Sequence, residues 1–196
     1  VFYSPLIQEF GWSRAQVTAG FAVSIVVIGP LFGIMGGILI DRLGPKKILL
    51  FGLFAAGAAF AGYGFMSALW MFYLLYFMQT AGYVTAGPIP NQVLISRWFD
   101  RWRGRAMALA YVGAGIGGAI APVLAQFLIS SIGWRGAMHA ISAGILLVLV
   151  PVSWLVIKNH PADVGCLPDG SGGRPKAVGA PAAAESLRSL KNVFRT

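Results

Sequence analysis

Long stretches without a single charge alternate with short charged clusters along this chain. No Asp, Glu, Lys or Arg occurs in 15–40, 48–96, 106–134 or 136–157. A helix crosses the hydrocarbon core of a bilayer in about 20 apolar residues, so each stretch holds a span and the second holds two. Met66-Ser67-Ala68 is the natural break in that longer stretch. The pattern therefore predicts helices over 15–40, 48–65, 69–95, 106–129 and 137–157. The opening run Val1 to Ile7 is too short to span and reads as the tail of an earlier helix. Together with the missing initiating Met it points to an N-terminal truncation. A cleaved signal peptide is the alternative, but the run has neither a basic n-region nor a sufficient apolar h-region.

Composition adds the class. Hydrophobic residues make up 57% and charged residues 11% of the chain, and the charges are clustered instead of lining helix faces. That is the composition of an integral membrane protein whose partner is the lipid bilayer. Of the 15 Lys and Arg, all but Arg14 and Arg135 fall in alternate loops and the tail. Short cytoplasmic loops collect such bases, so 41–47, 97–105 and the C-terminal tail are expected in the cytoplasm, of an inner (plasma) membrane of bacterial type. Topology and anionic lipid account for the net charge of +9 without a nucleic-acid partner. Trp98, Phe99 and Trp102 among the bases read as interfacial packing, not as a stacking platform for bases. Cys166 stands alone, which leaves neither a disulfide framework nor a cysteine metal site.

The two loops of the other set carry Trp12 beside Arg14 and Trp134 beside Arg135. Tryptophan suits the headgroup region, so both are expected to be interfacial anchors, and Ser13 with Gln16 fits a capping box for the next helix. Beyond Ile157 the chain turns to Gly, Pro, Ala and Ser, the composition of a linker. The expected organisation is a helical bundle over 1–157 and a linker over 158–196. Within the linker, 185–195 recovers the spacing of a short amphipathic helix suited to the inner leaflet.

Candidate chemistry lies in three places. In Gly37-x-x-x-Asp41-Arg42-x-Gly44-Pro45-Lys46-Lys47, an acid and three bases crowd a turn that Gly44 permits and Pro45 stiffens. Asp41 can pair locally or cap the positive end of another helix, and a solvated turn that only sets topology is the plainer reading. Arg97, Arg103 and Gly104 admit the same two readings. Small residues recur at Gly29, Gly33 and Gly37 and at Gly113, Gly117 and Ala121, giving smooth faces for close helix approach. The run Gly113-x-Gly115-x-Gly117-Gly118 follows no strand, so it is not a dinucleotide fingerprint. Polar side chains at membrane depth form a stripe through Tyr76, Gln79, Tyr83 and Asn91, continued through Gly87, with Tyr111 and Gln126 on the next helix. Because polar groups facing lipid are costly, this stripe is expected to line a substrate path or to bridge helices. His139 reads as a wet surface histidine. The predicted spans contain no charged residue, so a carried anion needs its cationic partner elsewhere. No pair of nucleophile and base, metal cluster or phosphate loop appears, which argues against an enzyme, and no cofactor is implied.

The 37–47 segment resembles the signature between helices 2 and 3 of the major facilitator superfamily, with Pro45 where a base is commonest. Within that superfamily the chain is similar to the monocarboxylate and oxalate/formate antiporter branch. The likeness rests on Phe10-Gly11-Trp12-Ser13-Arg14, Asp41-Arg42-Leu43-Gly44-Pro45, Arg97-Trp98-Phe99, Arg103-Gly104-x-Ala106, Gly133-Trp134-Arg135 and Pro161-x-Asp163-x-Gly165-x-x-Pro168-Asp169-Gly170. The resemblance implies an all-α fold corresponding to the N-terminal six-helix half, with helix 1 largely missing and a C-terminal half absent. It implies a secondary transporter of small carboxylates working by alternating access, by proton-coupled symport or anion exchange. In the family the signature Asp holds the two halves together in the outward-facing state, which casts Gly37, Asp41, Arg42, Gly44, Lys46, Lys47, Arg97, Arg103 and Gly104 as parts of a conformational switch. Two departures matter: the helix-4 Arg of many members is missing near Tyr76 and Met78, and Ala108 stands where this branch usually has Gly. A drug, sugar or nucleoside cargo and a non-transporting fragment are the alternatives.

Overall fold

The computed structural model describes residues 2–166 and is helical almost throughout. Helix α1 (Tyr3–Phe10) ends at Gly11, whose φ of 66° gives the left-handed stop, and α2 (Arg14–Leu43) follows. Its start is the expected capping box: Gln16 N donates to Ser13 Oγ at 3.2 Å and Ser13 N to Gln16 Oε1 at 2.8 Å. Helix α3 (Pro45–Gly64) begins on a proline, α4 (Leu69–Ala86) follows the 65–68 turn, and α5 (Pro88–Trp98) leads to α6 (Arg103–Gly144). A π turn, Ile145–Leu149, joins α6 to α7 (Val150–Val156), and a 3-10 turn, Pro161–Val164, closes the described chain. The 158–196 linker is described only to 166, and the expected helix at 185–195 lies outside the described residues.

Among the described residues three stretches are long and apolar enough to cross a membrane: Arg14–Leu31, Pro45–Gly64 and Arg103–Val156, the last of 54 residues. Gly133 (φ 73°, ψ 167°) breaks that last stretch into two arms. The second arm returns antiparallel along α3: Arg135 Nη1 donates to Gly64 O at 2.9 Å, Ser142 Oγ to Gly57 O at 2.8 Å, and Lys46 Nζ to Trp154 O at 2.6 Å. The stretch expected as one helix over 69–95 is two. Gly87 adopts ψ −150° and Pro88 has no amide to continue the ladder, so α4 and α5 meet at a break.

The core lies at the end of the bundle opposite the 41–47 turn. Leu6, Val17, Tyr63, Met66, Phe72, Leu75, Trp134 and Met138 form one buried cluster drawn from α1, α2, α3, α4 and the second arm of α6. Trp134 is thus a core residue and not the interfacial anchor expected of it: its ring packs in this cluster, while its indole N–H reaches out to the exposed Glu9 Oε2. Trp12 is half-buried, stacked on Phe10 with centroids 4.5 Å apart. Arg135 closes this corner, donating to Glu9 Oε1 at 2.8 Å and lying over the Phe10 and Trp134 rings. These hydrogen bonds hold the Glu9 carboxyl below the usual glutamate range, Arg135 contributing more than Trp134.

Of the glycines expected to mediate close approach, Gly29, Gly113 and Gly117 stand open: a Cβ on any of the three would meet nothing within 4 Å. By contrast a Cβ on Gly52 would lie 2.5 Å from Ala86 N, and one on Gly82 would lie 2.8 Å from Gly52 O. Helices α3 and α4 therefore pack backbone against backbone, in the manner of small-residue contacts in membranes. His139 also departs from expectation. It is half-buried, 4.8 Å centroid to centroid from Phe65, in space that Gly64 leaves free.

Candidate functional site

The stripe on α4 is built by helical spacing and keyed by hydroxyl contacts. Tyr76 and Tyr3 hydroxyls lie 3.3 Å apart, and Tyr63 Oη donates to Gln79 Oε1 at 3.0 Å, leaving the Gln79 amide nitrogen free of protein acceptors among the described residues. Tyr76 and Gln79 line a cavity of about 510 Å³ walled by Phe2, Phe60, Phe72 and Pro122. The same two residues and Tyr83 line a second cavity, of about 400 Å³, against Phe21, Ile25 and Gly29 of α2. Tyr83, Asn91 and Tyr111 meet at a third, of about 320 Å³, between the α4–α5 break and the first arm of α6. No charged side chain lines any of the three.

Two expected members behave differently. Asn91 spends its amide on the break, donating to Gly87 O at 2.9 Å and to Ala86 O at 3.1 Å, the latter a carbonyl whose helical donor would have been the missing N–H of Pro90. It thereby holds the bend beside the third cavity, which it also lines. Gln126 is exposed and lines none of the three cavities, so the structure does not join it to the stripe. The neighbour that sequence reasoning missed is Gln92, whose Nε2 donates to Tyr111 Oη and ties α5 to α6.

At the opposite end, the charged turn is compact. Gly37 lies within α2, and Asp41 and Arg42 are exposed on its last turn. Among the described residues Asp41 forms no ion pair or hydrogen bond, so its carboxylate is free to meet a further element. Gly44 has φ 81° and ψ 150°, a region that glycine alone enters readily. Lys46 is held on both sides: its N–H donates to Asn159 Oδ1 at 3.0 Å, and its ammonium lies 5.9 Å from the Trp154 ring while bonding Trp154 O. Lys47 is exposed. Arg97 meets the His160 ring at 3.3 Å and Trp98 Nε1 donates to Lys158 O at 3.1 Å. Arg103 and Gly104 open α6, exposed. The Arg97 and Lys46 contacts thus converge on 158–160, the start of the segment that follows the last helix.

An all-α bundle of long apolar helices, with uncharged cavities between them and bases massed at one end, defines an integral membrane protein. The family model described as Major Facilitator Superfamily matches residues 1–195, and the chain belongs to that superfamily. It is similar to the 3-(3-hydroxy-phenyl)propionate transporter of Escherichia coli, 32% identical over 76% of this chain and 37% of the relative. Monocarboxylate transporter 13 of Rattus norvegicus is 28% identical over 73% of this chain and 33% of its own length. Riboflavin transporter RibJ of Trypanosoma brucei brucei is 32% identical over 66% and 24%. The chain thus spans a quarter to somewhat over a third of these relatives. No solved structure matches it significantly.

Proposed function

We propose that the chain is the N-terminal half of a secondary active transporter that moves small mono- or dicarboxylates across the membrane by alternating access. The observation that supports the reading is the stripe Tyr76, Gln79 and Tyr83, of which Tyr76 and Gln79 line two cavities and Tyr83 the second of them. Hydroxyl and amide groups there can hydrogen-bond a carboxylate, while the lack of charge in the lining assigns the cationic partner to a part of the transporter beyond 2–166. Two relatives bearing carboxylate names support that cargo. The switch residues Asp41, Arg42, Lys46, Lys47, Arg97 and Arg103 sit in the cytoplasm in this reading, where the free Asp41 carboxylate would engage the C-terminal half in one state and release it in the other. Symport with a proton and exchange of anions both fit a rocking pair of halves.

A second cargo reading has one specific observation in its favour. The cavity of about 510 Å³ is walled by aromatic rings, and one relative is named for riboflavin, a large aromatic solute. Counterflow separates the readings. The complete gene product, reconstituted in proteoliposomes, is expected to exchange labelled oxalate, formate, lactate or pyruvate. Exchange of riboflavin with none of the four would transfer the proposal to the aromatic cargo.

A further inference from the structure

Helix α3 begins without a cap of its own. Its N-cap position is Gly44, which has no side chain to accept a bond, and its first residue, Pro45, has no N–H. The first free amide is that of Lys46, and the group that accepts it is Asn159 Oδ1, 113 residues further along the chain. Asn is among the best N-caps, and here it performs that task from another element. A Cβ on Gly44 would fall 3.1 Å from both Asn159 Nδ2 and Oδ1, so the glycine provides the room as well as the unusual φ.

The exchange is reciprocal. Helix α7 ends at Val156, leaving its last carbonyls open, and the Lys46 ammonium takes that of Trp154. A cation at a helix C-terminus is favoured by the dipole, as an acceptor is at an N-terminus. The residues flanking Asn159 extend the same junction to α5: Lys158 O accepts from Trp98 Nε1, and the His160 ring meets Arg97. Three helix ends that are distant in sequence, those of α3, α5 and α7, are thus joined through 158–160.

We infer that Asn159 is a positioning residue for the α2–α3 turn, capping α3 from a distant element, and that the Lys158-Asn159-His160 segment clasps the adjacent ends of α3, α5 and α7 into one body. Asp41 is thereby presented from a turn whose far side is pinned, so any movement of that turn carries the start of the 158–196 segment with it. This consequence rests on reading the turn as part of a conformational switch; the capping itself does not.

The test is residue-resolved amide hydrogen exchange on the complete gene product in lipid nanodiscs, comparing Asn159→Leu, Asn159→Ala and Asn159→Asp. Leucine keeps the branched heavy-atom skeleton without an acceptor, whereas aspartate keeps the acceptor. Protection at Lys46 is expected to fall roughly five- to thirtyfold in the Leu and Ala variants and to stay within about twofold in the Asp variant. Protection through the middle of α3 reports that the bundle remains folded. A Leu variant with undiminished protection at Lys46 would show a packing role instead and overturn the inference. So would an Asp variant that loses it, which decides the matter even if the Leu protein is too unstable to purify. Exchange is read without any cargo, so failure of carboxylate transport and failure of the cap are separate results.

Discussion

Substituting alanine for Gly52 tests the packing of α3 on α4, the contact from which the polar stripe is suspended. Ordinary contact begins at 3.4 Å, and the new methyl would sit 2.5 Å from Ala86 N and from Thr85 Oγ1 and 2.8 Å from Ala86 Cβ. The helices must part by up to about 0.9 Å, because two of the three obstacles belong to Ala86 itself and cannot rotate away. A gap of about 0.5–1 Å costs each affected atom pair a quarter to a half of its dispersion energy, and overpacking of this kind costs about 1–3 kcal/mol. In a bilayer this loss has no hydrophobic offset, since lipid tails are as apolar as the helices. The assay is thermal unfolding of the purified protein in detergent, followed by tryptophan fluorescence. Gly29→Ala and Gly113→Ala are the controls, with no neighbour within 4 Å of either added methyl. Gly52→Ala is expected to lower the midpoint clearly while both controls match the parent protein or exceed it, alanine being the better helix former. Equal losses in all three variants would refute the reasoning.

Three further outcomes follow from other contacts. Arg135 depresses the Glu9 pKa, so the tie between α1 and α6 is fully present above the usual glutamate range and is lost as pH falls through the lowered value. Amide exchange in Tyr3–Phe10 should accordingly rise in acid, and Glu9→Gln should show the faster exchange already at neutral pH; a parent protein with no acid response would contradict this. Ser142→Ala removes a buried bond to Gly57 O and should cost about 0.5–1.5 kcal/mol in the same thermal assay, where no change would mean that the bond is dispensable. Asp41→Ala should shift the balance of inward- and outward-facing states, read by thiol accessibility on the two sides, with little effect on thermal stability because Asp41 has no partner among the described residues.

Much of the bundle was legible because charge is so costly in a bilayer that its absence marks the spans. Local signals also carried through, as with Ser13 and Gln16, whose partners lie three residues apart. What escaped was set by partners distant in sequence. Trp134 has the flanks of an interfacial anchor, and only the folded chain brings Glu9 to its indole. The α4–α5 break was readable in principle from Gly87-Pro88, but the apolar run on either side hid it, and with it the local duty of Asn91. Small-residue faces were visible at Gly29 and Gly113, yet which glycine meets a neighbour depends on helix rotation, and that selected Gly52 and Gly82. The grouping of Tyr76, Gln79 and Tyr83 followed from spacing alone, whereas Gln126, on another helix, depended on an orientation that spacing does not give.

The central claim is that this stripe faces a water-filled substrate path, and thiol labelling tests it most directly. In a Cys166→Ser background, Tyr83→Cys and Leu74→Cys place thiols nine residues apart on α4, about two and a half turns and hence on opposite faces. A membrane-impermeant maleimide is expected to label position 83 and not position 74, and lactate or oxalate is expected to slow the labelling at 83. Equal labelling of both, or labelling of 74 alone, would contradict the account.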